Sequence, residues 1–203
     1  MNEQTTAGSA SAAVEPRRYR PRLALYHANG KGTGGALQLE LHPAHDNTDG
    51  CIMMQLANQM TVGDLRGPNP TYPRFDWEGA VCVKLDFNDL TKILQVLRGE
   101  CESLEDGKGL YHRSPRASTR IVLRHMVEPR PGYMLEVYRN GLAQNPAEEK
   151  SARVFLPPNE ALGVMAAIEG SMSVVCFGIP MVVPHDTSAY RAAVREARNA
   201  AAA

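Results

Sequence analysis

The sequence predicts an α+β fold of two ββββα repeats, with two antiparallel four-stranded sheets packed on two helices. Three observations carry this prediction. A seventeen-residue stretch matches a later stretch without a gap. Each copy carries an apolar stripe of helical period. Each copy follows short segments that alternate with a period of two.

The internal match is Val83–Gly99 over Val154–Gly170, at an offset of 71 residues. Val83 meets Val154, Leu85 meets Leu156, Asn88 meets Asn159, Asp89 meets Glu160, Ile93 meets Val164, Leu97 meets Ile168 and Gly99 meets Gly170. Each copy reads as a short apolar strand, a turn and a helix. In the first, Leu90, Ile93, Leu94, Leu97, Cys101 and Leu104 recur at three- and four-residue spacing. In the second, Ala161, Val164, Met165, Ile168 and Met172 do so. That spacing lines one face of a helix. Asn88 and Asn159 suit the N-cap, because a side-chain oxygen accepts an orphan N–H. Asp89 and Glu160 then place negative charge at the positive helix end.

The strands correspond as well. Leu25-Tyr26-His27 opens the first copy and Leu110-Tyr111-His112 the second. Ala36 to His42 and Ser118 to Met126 follow as alternating strands, then Ile52 to Ala57 and Tyr133 to Tyr138. In Ser118–Met126, Thr119, Ile121 and Leu123 share one face, and Arg120, Val122 and Arg124 share the other. Period-two alternation implies one face on the helices and one toward solvent or ligand. Residues 1–21 and 184–203 read as flexible tails. Residues 22–183 read as one domain, with repeat one at 22–106 and repeat two at 107–183. Thr61–Glu78 and Gly141–Lys150 read as loops.

Composition narrows the function. The 203 residues are 43% hydrophobic and 22% charged, which suits a globular core. Lys plus Arg and Asp plus Glu both number 22. A duplex-DNA binder working through bulk positive charge is therefore not expected. The charge is uneven, however. Leu37 to Asp106 carries a net −7 and Gly107 to Asn140 a net +5. A further basic cluster, Arg17, Arg18, Arg20 and Arg22, surrounds Tyr19. Arginines interleaved with Tyr and His on an exposed sheet face suit unpaired nucleic acid, where guanidinium groups meet phosphates and rings stack on bases. The candidate contacts are Tyr26, His27, Lys31, Tyr111, His112, Arg113, Arg116, Arg120, Arg124 and Tyr138. The plainer reading of Arg120 and Arg124 is a solvated sheet face.

Other chemistries find less support. Gly30-Lys31-Gly32-Thr33-Gly34-Gly35 lacks the phosphate-loop order and leads into a strand, so it reads as a flexible hairpin open to a ligand or neighbouring subunit. His42, His45, Asp46 and Asp49 suit a polar turn better than a metal site. No cofactor and no metal are expected. No nucleophile or metalloprotease motif stands out, so the expectation is not an enzyme. Cys51, Cys82, Cys101 and Cys176 lack C-x-x-C spacing and read as buried, reduced thiols. The only Trp, Trp77, reads as a plug between sheet and helix rather than a stacking surface at the sheet edge. The N-terminal stretch has no apolar core of a signal peptide, and Met172–Val183 is too short and interrupted to span a bilayer, so no membrane partner is expected.

With these residues the chain resembles the Whirly family of single-stranded-DNA-binding proteins, from about Leu23 to Gly178. Lys31-Gly32-Thr33-Gly34-Gly35-Ala36-Leu37 resembles the family's Lys-Gly-Lys-Ala-Ala-Leu motif. Phe75-Asp76-Trp77 resembles its Tyr-Asp-Trp before the fourth strand. Tyr111-His112 resembles the Phe-His that opens its second unit, and the helix running into Phe177-Gly178 resembles its ending. The chain departs from the motif where small residues and an insertion replace the second Lys. The resemblance implies single-stranded DNA binding with little sequence preference and a homotetramer with the helices at its core. An RNA-binding or annealing protein and an assembly scaffold without ligand are the alternatives. Without the organelle leader of plant members, a cytoplasmic, bacterial or phage-like setting is expected.

Overall fold

The computed structural model describes residues 22–44, 48–64, 66, 68–141 and 149–178. Both tails, Arg17, Arg18, Arg20, His45, Asp46 and most of the loop expected at Gly141–Lys150 lie outside these residues.

The first sheet contains β1 (Arg22–His27), β2 (Gly35–His42), β3 (Cys51–Thr61), β4 (Arg74–Phe75) and β5 (Val81–Leu85). All pairings are antiparallel, in the order β1-β2-β3, and both β4 and β5 pair with β3. β5 pairs with Ile52–Leu56 and β4 with the far end of β3 at Gln59 and Thr61. The expected fourth strand is thus one edge interrupted at residues 76–80, and β3 runs longer than expected to serve both pieces. The second sheet is β6 (Leu110–Arg113), β7 (Ala117–Met126), β8 (Gly132–Gly141) and β9 (Lys150–Leu156), antiparallel in that order.

α1 (Phe87–Leu97) follows the first sheet and α2 (Pro158–Phe177) the second. Their starts differ from the expected caps. Asp86 caps α1, accepting from the Asp89 N–H at 3.0 Å while Asp89 accepts from the Asp86 N–H at 3.2 Å. This reciprocal pair satisfies two orphan groups at once. α2 starts after Pro157, with Pro158 at a position where a missing N–H costs no hydrogen bond. Asn88 and Asn159 sit one step inside each helix. α1 also stops at Leu97. Cys101 is consequently exposed, while Leu104 reaches the core from a separate 3-10 turn (Leu104–Gly107).

The inner faces form one core. Leu37, Leu39, Ile52, Met54 and Leu56 from the first sheet meet Ile121, Leu123, Leu135, Val137 and Val154 from the second. Leu90, Ile93, Leu94 and Leu97 of α1 and Ala161, Val164 and Ile168 of α2 join them. Each fully buried Leu, Ile or Val contributes roughly 1.5–3 kcal/mol. The core cavity among these residues is only about 20 Å³, too small for a ligand. The helices pack on one another, and Arg98 donates to Glu169 Oε1 at 2.8 and 3.0 Å across them.

Candidate nucleic-acid interface

The outer faces of the sheets carry the chemistry. On the first sheet, Tyr26 is directly opposite Ala36, and Ala36 opposite Ala57. Small neighbours leave the Tyr26 ring 58% exposed. It packs on Phe75 at 5.5 Å and stands edge-on to Trp77 at 6.2 Å. These rings, with Ala28, Tyr72, Pro73 and Arg74, line an open groove of about 480 Å³. Tyr72 is 73% exposed on its rim. Trp77 is therefore a groove wall at the sheet edge, not a plug. The interruption between β4 and β5 explains this: Trp77 lies outside the ladder, against the exposed Tyr26 ring. Sequence reasoning singled out Tyr26 but missed Tyr72, Phe75 and Trp77 as site residues. Their aromatic clustering before the fourth strand was the available signal.

The glycine-rich hairpin beside this groove is pinned rather than loose. Gln59, 8% exposed, accepts from the Asn29 N–H at 2.9 Å and the Gly34 N–H at 3.1 Å. Its amide donates to the Asn29 carbonyl at 3.0 Å and the Thr61 carbonyl at 3.1 Å. Asn29 Oδ1 in turn accepts from the Lys31 and Thr33 N–H groups at 3.0 and 3.1 Å. Two glycines are required here by close approach. A Cβ at Gly34 would meet the His27 carbonyl oxygen at 2.0 Å, and one at Gly35 the Arg153 carbonyl oxygen at 2.0 Å. At Gly35, β2 thus passes against β9 of the other sheet. Asn58 donates to the Ser151 carbonyl at 2.8 Å along the same seam. Lys31 is exposed at the hairpin tip.

On the second sheet, Tyr111, Arg120 and Tyr138 stand directly across three neighbouring strands. Tyr111 is 64% exposed, and the Arg120 guanidinium lies 5.8 Å from its ring centre. That guanidinium is already engaged: it donates to the Lys108 carbonyl at 2.7 Å and the Gly107 carbonyl at 3.0 Å. Arg124 pairs with Glu136 at 3.2 Å. Burial first, and then the Glu136 carboxylate, raise the Tyr138 pKa, so its hydroxyl remains a neutral donor. Arg113 and Arg116 are exposed at the end of β6 and in the turn after it. No carboxylate among the described residues pairs with either. Among these four arginines, free positive charge thus resides in Arg113 and Arg116 rather than in Arg120 and Arg124.

His27 and His112 lie elsewhere. Each follows its outward Tyr by one residue and so faces the helices. His27 Nε2 is 2.7 Å from Glu160 Oε2, in the first turn of α2. His112 Nε2 is 3.0 Å from Asp89 Oδ2, in the first turn of α1. Each repeat's histidine therefore binds the first-turn acid of the other repeat's helix. The Asp89 hydrogen bond raises the His112 pKa against the opposing effect of burial. These two side chains join layers, and do not share the outer face with the tyrosines.

Cys51 is buried and Cys82 half-buried, and burial pushes both thiols up in pKa. Cys101 and Cys176 are exposed, contrary to expectation, because α1 ends early and Cys176 lies on the open side of α2. Among the described residues, no three His, Cys, Asp or Glu side chains gather as a metal site.

The fold is Whirly-like. WHY1 from Arabidopsis thaliana superposes with a TM-score of 0.59 at 14% identity, over 90% of this chain and 94% of that one. The plant transcriptional regulator PBF-2 gives 0.55 at 15%, over 79% and 84%. A guideRNA-binding protein complex bound to a gRNA gives 0.51 at 16%, over 76% and 91%. By sequence, no family model and no curated protein matches the chain.

Proposed function

We propose that the chain binds single-stranded nucleic acid, DNA in preference to RNA, with little sequence selectivity and without catalysis. The aromatic groove of the first sheet carries this reading. Tyr26, Tyr72, Phe75 and Trp77 offer flat surfaces beside Arg74, with Lys31 on the neighbouring hairpin. Base–ring stacking contributes about 1–3 kcal/mol per base and tolerates any base, because every base has a π-face. The Tyr111–Arg120–Tyr138 row, with Arg113 and Arg116, provides a second stretch of contact. Zero formal net charge suits this mode, since stacking rather than bulk charge supplies the affinity. The solved neighbour bound to a gRNA supports RNA as the second reading.

The proposal includes a homotetramer assembled through the helices. α2 supports it: outside its core-facing side it exposes Leu162 at 61% and Phe177 at 78%, with Gly163, Ala166 and Gly170 between them. Small residues let a second helix approach closely, and large apolar ones gain from being covered.

Trp77 is the only tryptophan, so its fluorescence reports on the groove directly. Titration with oligo(dT) should quench or shift that emission and raise the anisotropy of a labelled strand. Duplex DNA of equal length should compete poorly, and oligo(dU) less well than oligo(dT). Equal binding of duplex and single strand would overturn the proposed mode. Light scattering at four times the chain mass checks the assembly.

A further inference from the structure

We infer that Gln59 is a positioning residue for this interface: it fixes the Asn29–Gly35 hairpin so that Lys31 is presented beside the aromatic groove before any strand arrives. The inference rests on the nucleic-acid reading. Gln59 is opposite Phe75 in the β3–β4 pair, so it stands at the junction of the groove and the hairpin. A glutamine side chain can accept two hydrogen bonds and donate two. All four are made, three of them to the hairpin's ends at Asn29 and Gly34 and the fourth to Thr61.

A buried amide is costly unless satisfied, and strand packing alone would be served by an apolar side chain. What the amide adds is control of a loop that would otherwise be loose. Gly30, Gly32, Gly34 and Gly35 leave the hairpin with more conformations to lose than any other residues would. Ordering such a loop during binding would subtract from the affinity. Gln59 removes that cost in advance, and Asn29 extends the order to the tip by accepting from the Lys31 and Thr33 N–H groups. The Lys31 side chain, exposed and unpaired among the described residues, is then held ready for a phosphate.

The test is a double-mutant cycle on oligo(dT) affinity, measured by anisotropy at several salt concentrations. Lys31→Ala should weaken binding several-fold and reduce the slope of log affinity against log salt by about 0.7, one phosphate contact of a single strand. Gln59→Met, of similar size but with no acceptor for the loop amides, should produce the same loss of slope. Adding Lys31→Ala to Gln59→Met should then cost less than twofold, because the two act as one unit. If Lys31→Ala costs the same factor in both backgrounds, or if Gln59→Met leaves affinity and slope unchanged, the inference is wrong while the function stands. If Gln59→Met fails to fold by thermal melting, Asn29→Ala, at the exposed start of the hairpin, carries the same prediction. A wild-type protein that binds no oligo(dT) overturns both the inference and the reading beneath it.

Discussion

The two repeats share a backbone plan but present different outer surfaces. The first sheet offers rings that make a groove, with few charges beside them. The second offers a cationic row whose central arginines are spent on its own chain, Arg120 on the Gly107 and Lys108 carbonyls and Arg124 on Glu136. The helices diverge likewise. α1 buries one face and shows Asn88, Lys92 and Gln95 on the other, whereas α2 is apolar nearly all round with only one side in the core. A duplicated unit must keep its inward pattern, because both copies fill one core. Nothing holds the outward pattern constant, so function can be divided between copies.

The comparison breaks most sharply at the rings. Trp77→Ala combined with Tyr26→Ala should weaken oligo(dT) binding by about 100-fold, two stacking contacts at roughly 1–3 kcal/mol each. Tyr111→Ala combined with Tyr138→Ala should cost clearly less in the same titration. Equal losses would mean that both sheets contribute alike.

A smaller effect should separate free from engaged arginines. Arg113→Ala and Arg116→Ala should each weaken binding several-fold and reduce the salt slope by about 0.7. Arg124→Ala should leave that slope nearer the wild-type value, because Glu136 already neutralises it. Arg120→Glu with Arg124→Glu should reduce binding further and also lower the melting temperature, since Glu at 120 faces carbonyls and Glu at 124 faces Glu136.

For the helices, Leu162→Glu with Phe177→Glu should lower the mass seen by light scattering. Lys92→Ala with Gln95→Ala on α1 should leave it unchanged.

The smallest effect concerns pH. The raised His112 pKa means that its pairing with Asp89 stabilises the fold fully below the ordinary histidine value. That stabilisation is lost as pH rises through the higher folded-state value. Wild-type melting temperature should therefore fall slightly more between pH 6 and pH 8 than that of His112→Gln. Identical pH profiles would remove any stabilising role for the pair.

Much of this was legible in the residues. The repeat, the inward face of each strand and the core positions of both helices follow from periodicity, since burial repeats every two or 3.6 residues whatever lies across the core. Helix ends were less legible. The spacing that links Leu97 to Cys101 and Leu104 continues past the true end of α1, because periodicity records faces and not termini. Asp86 rather than Asn88 caps α1, as only the former has the Asp89 carboxylate returning the bond. The place of Trp77 is not legible in the sequence, because the two-residue β4 is too short to show a period and so leaves no sign of the break at residues 76–80.

The ββββα plan, its duplication and the uneven spread of charge are all written in local pattern and need no partner from elsewhere in the chain. Tertiary structure alone decided which charged and polar groups remain available. Arg120, Arg124, His27, His112 and Gln59 look alike in a sequence as polar residues near strand ends or on open faces. Apart from Thr61, two residues from Gln59, their partners come from 12 to 133 residues away, brought within hydrogen-bond distance only when the strands pair and the helices dock. Hydrogen bonds depend on distances of about 3 Å, and chain spacing does not specify those.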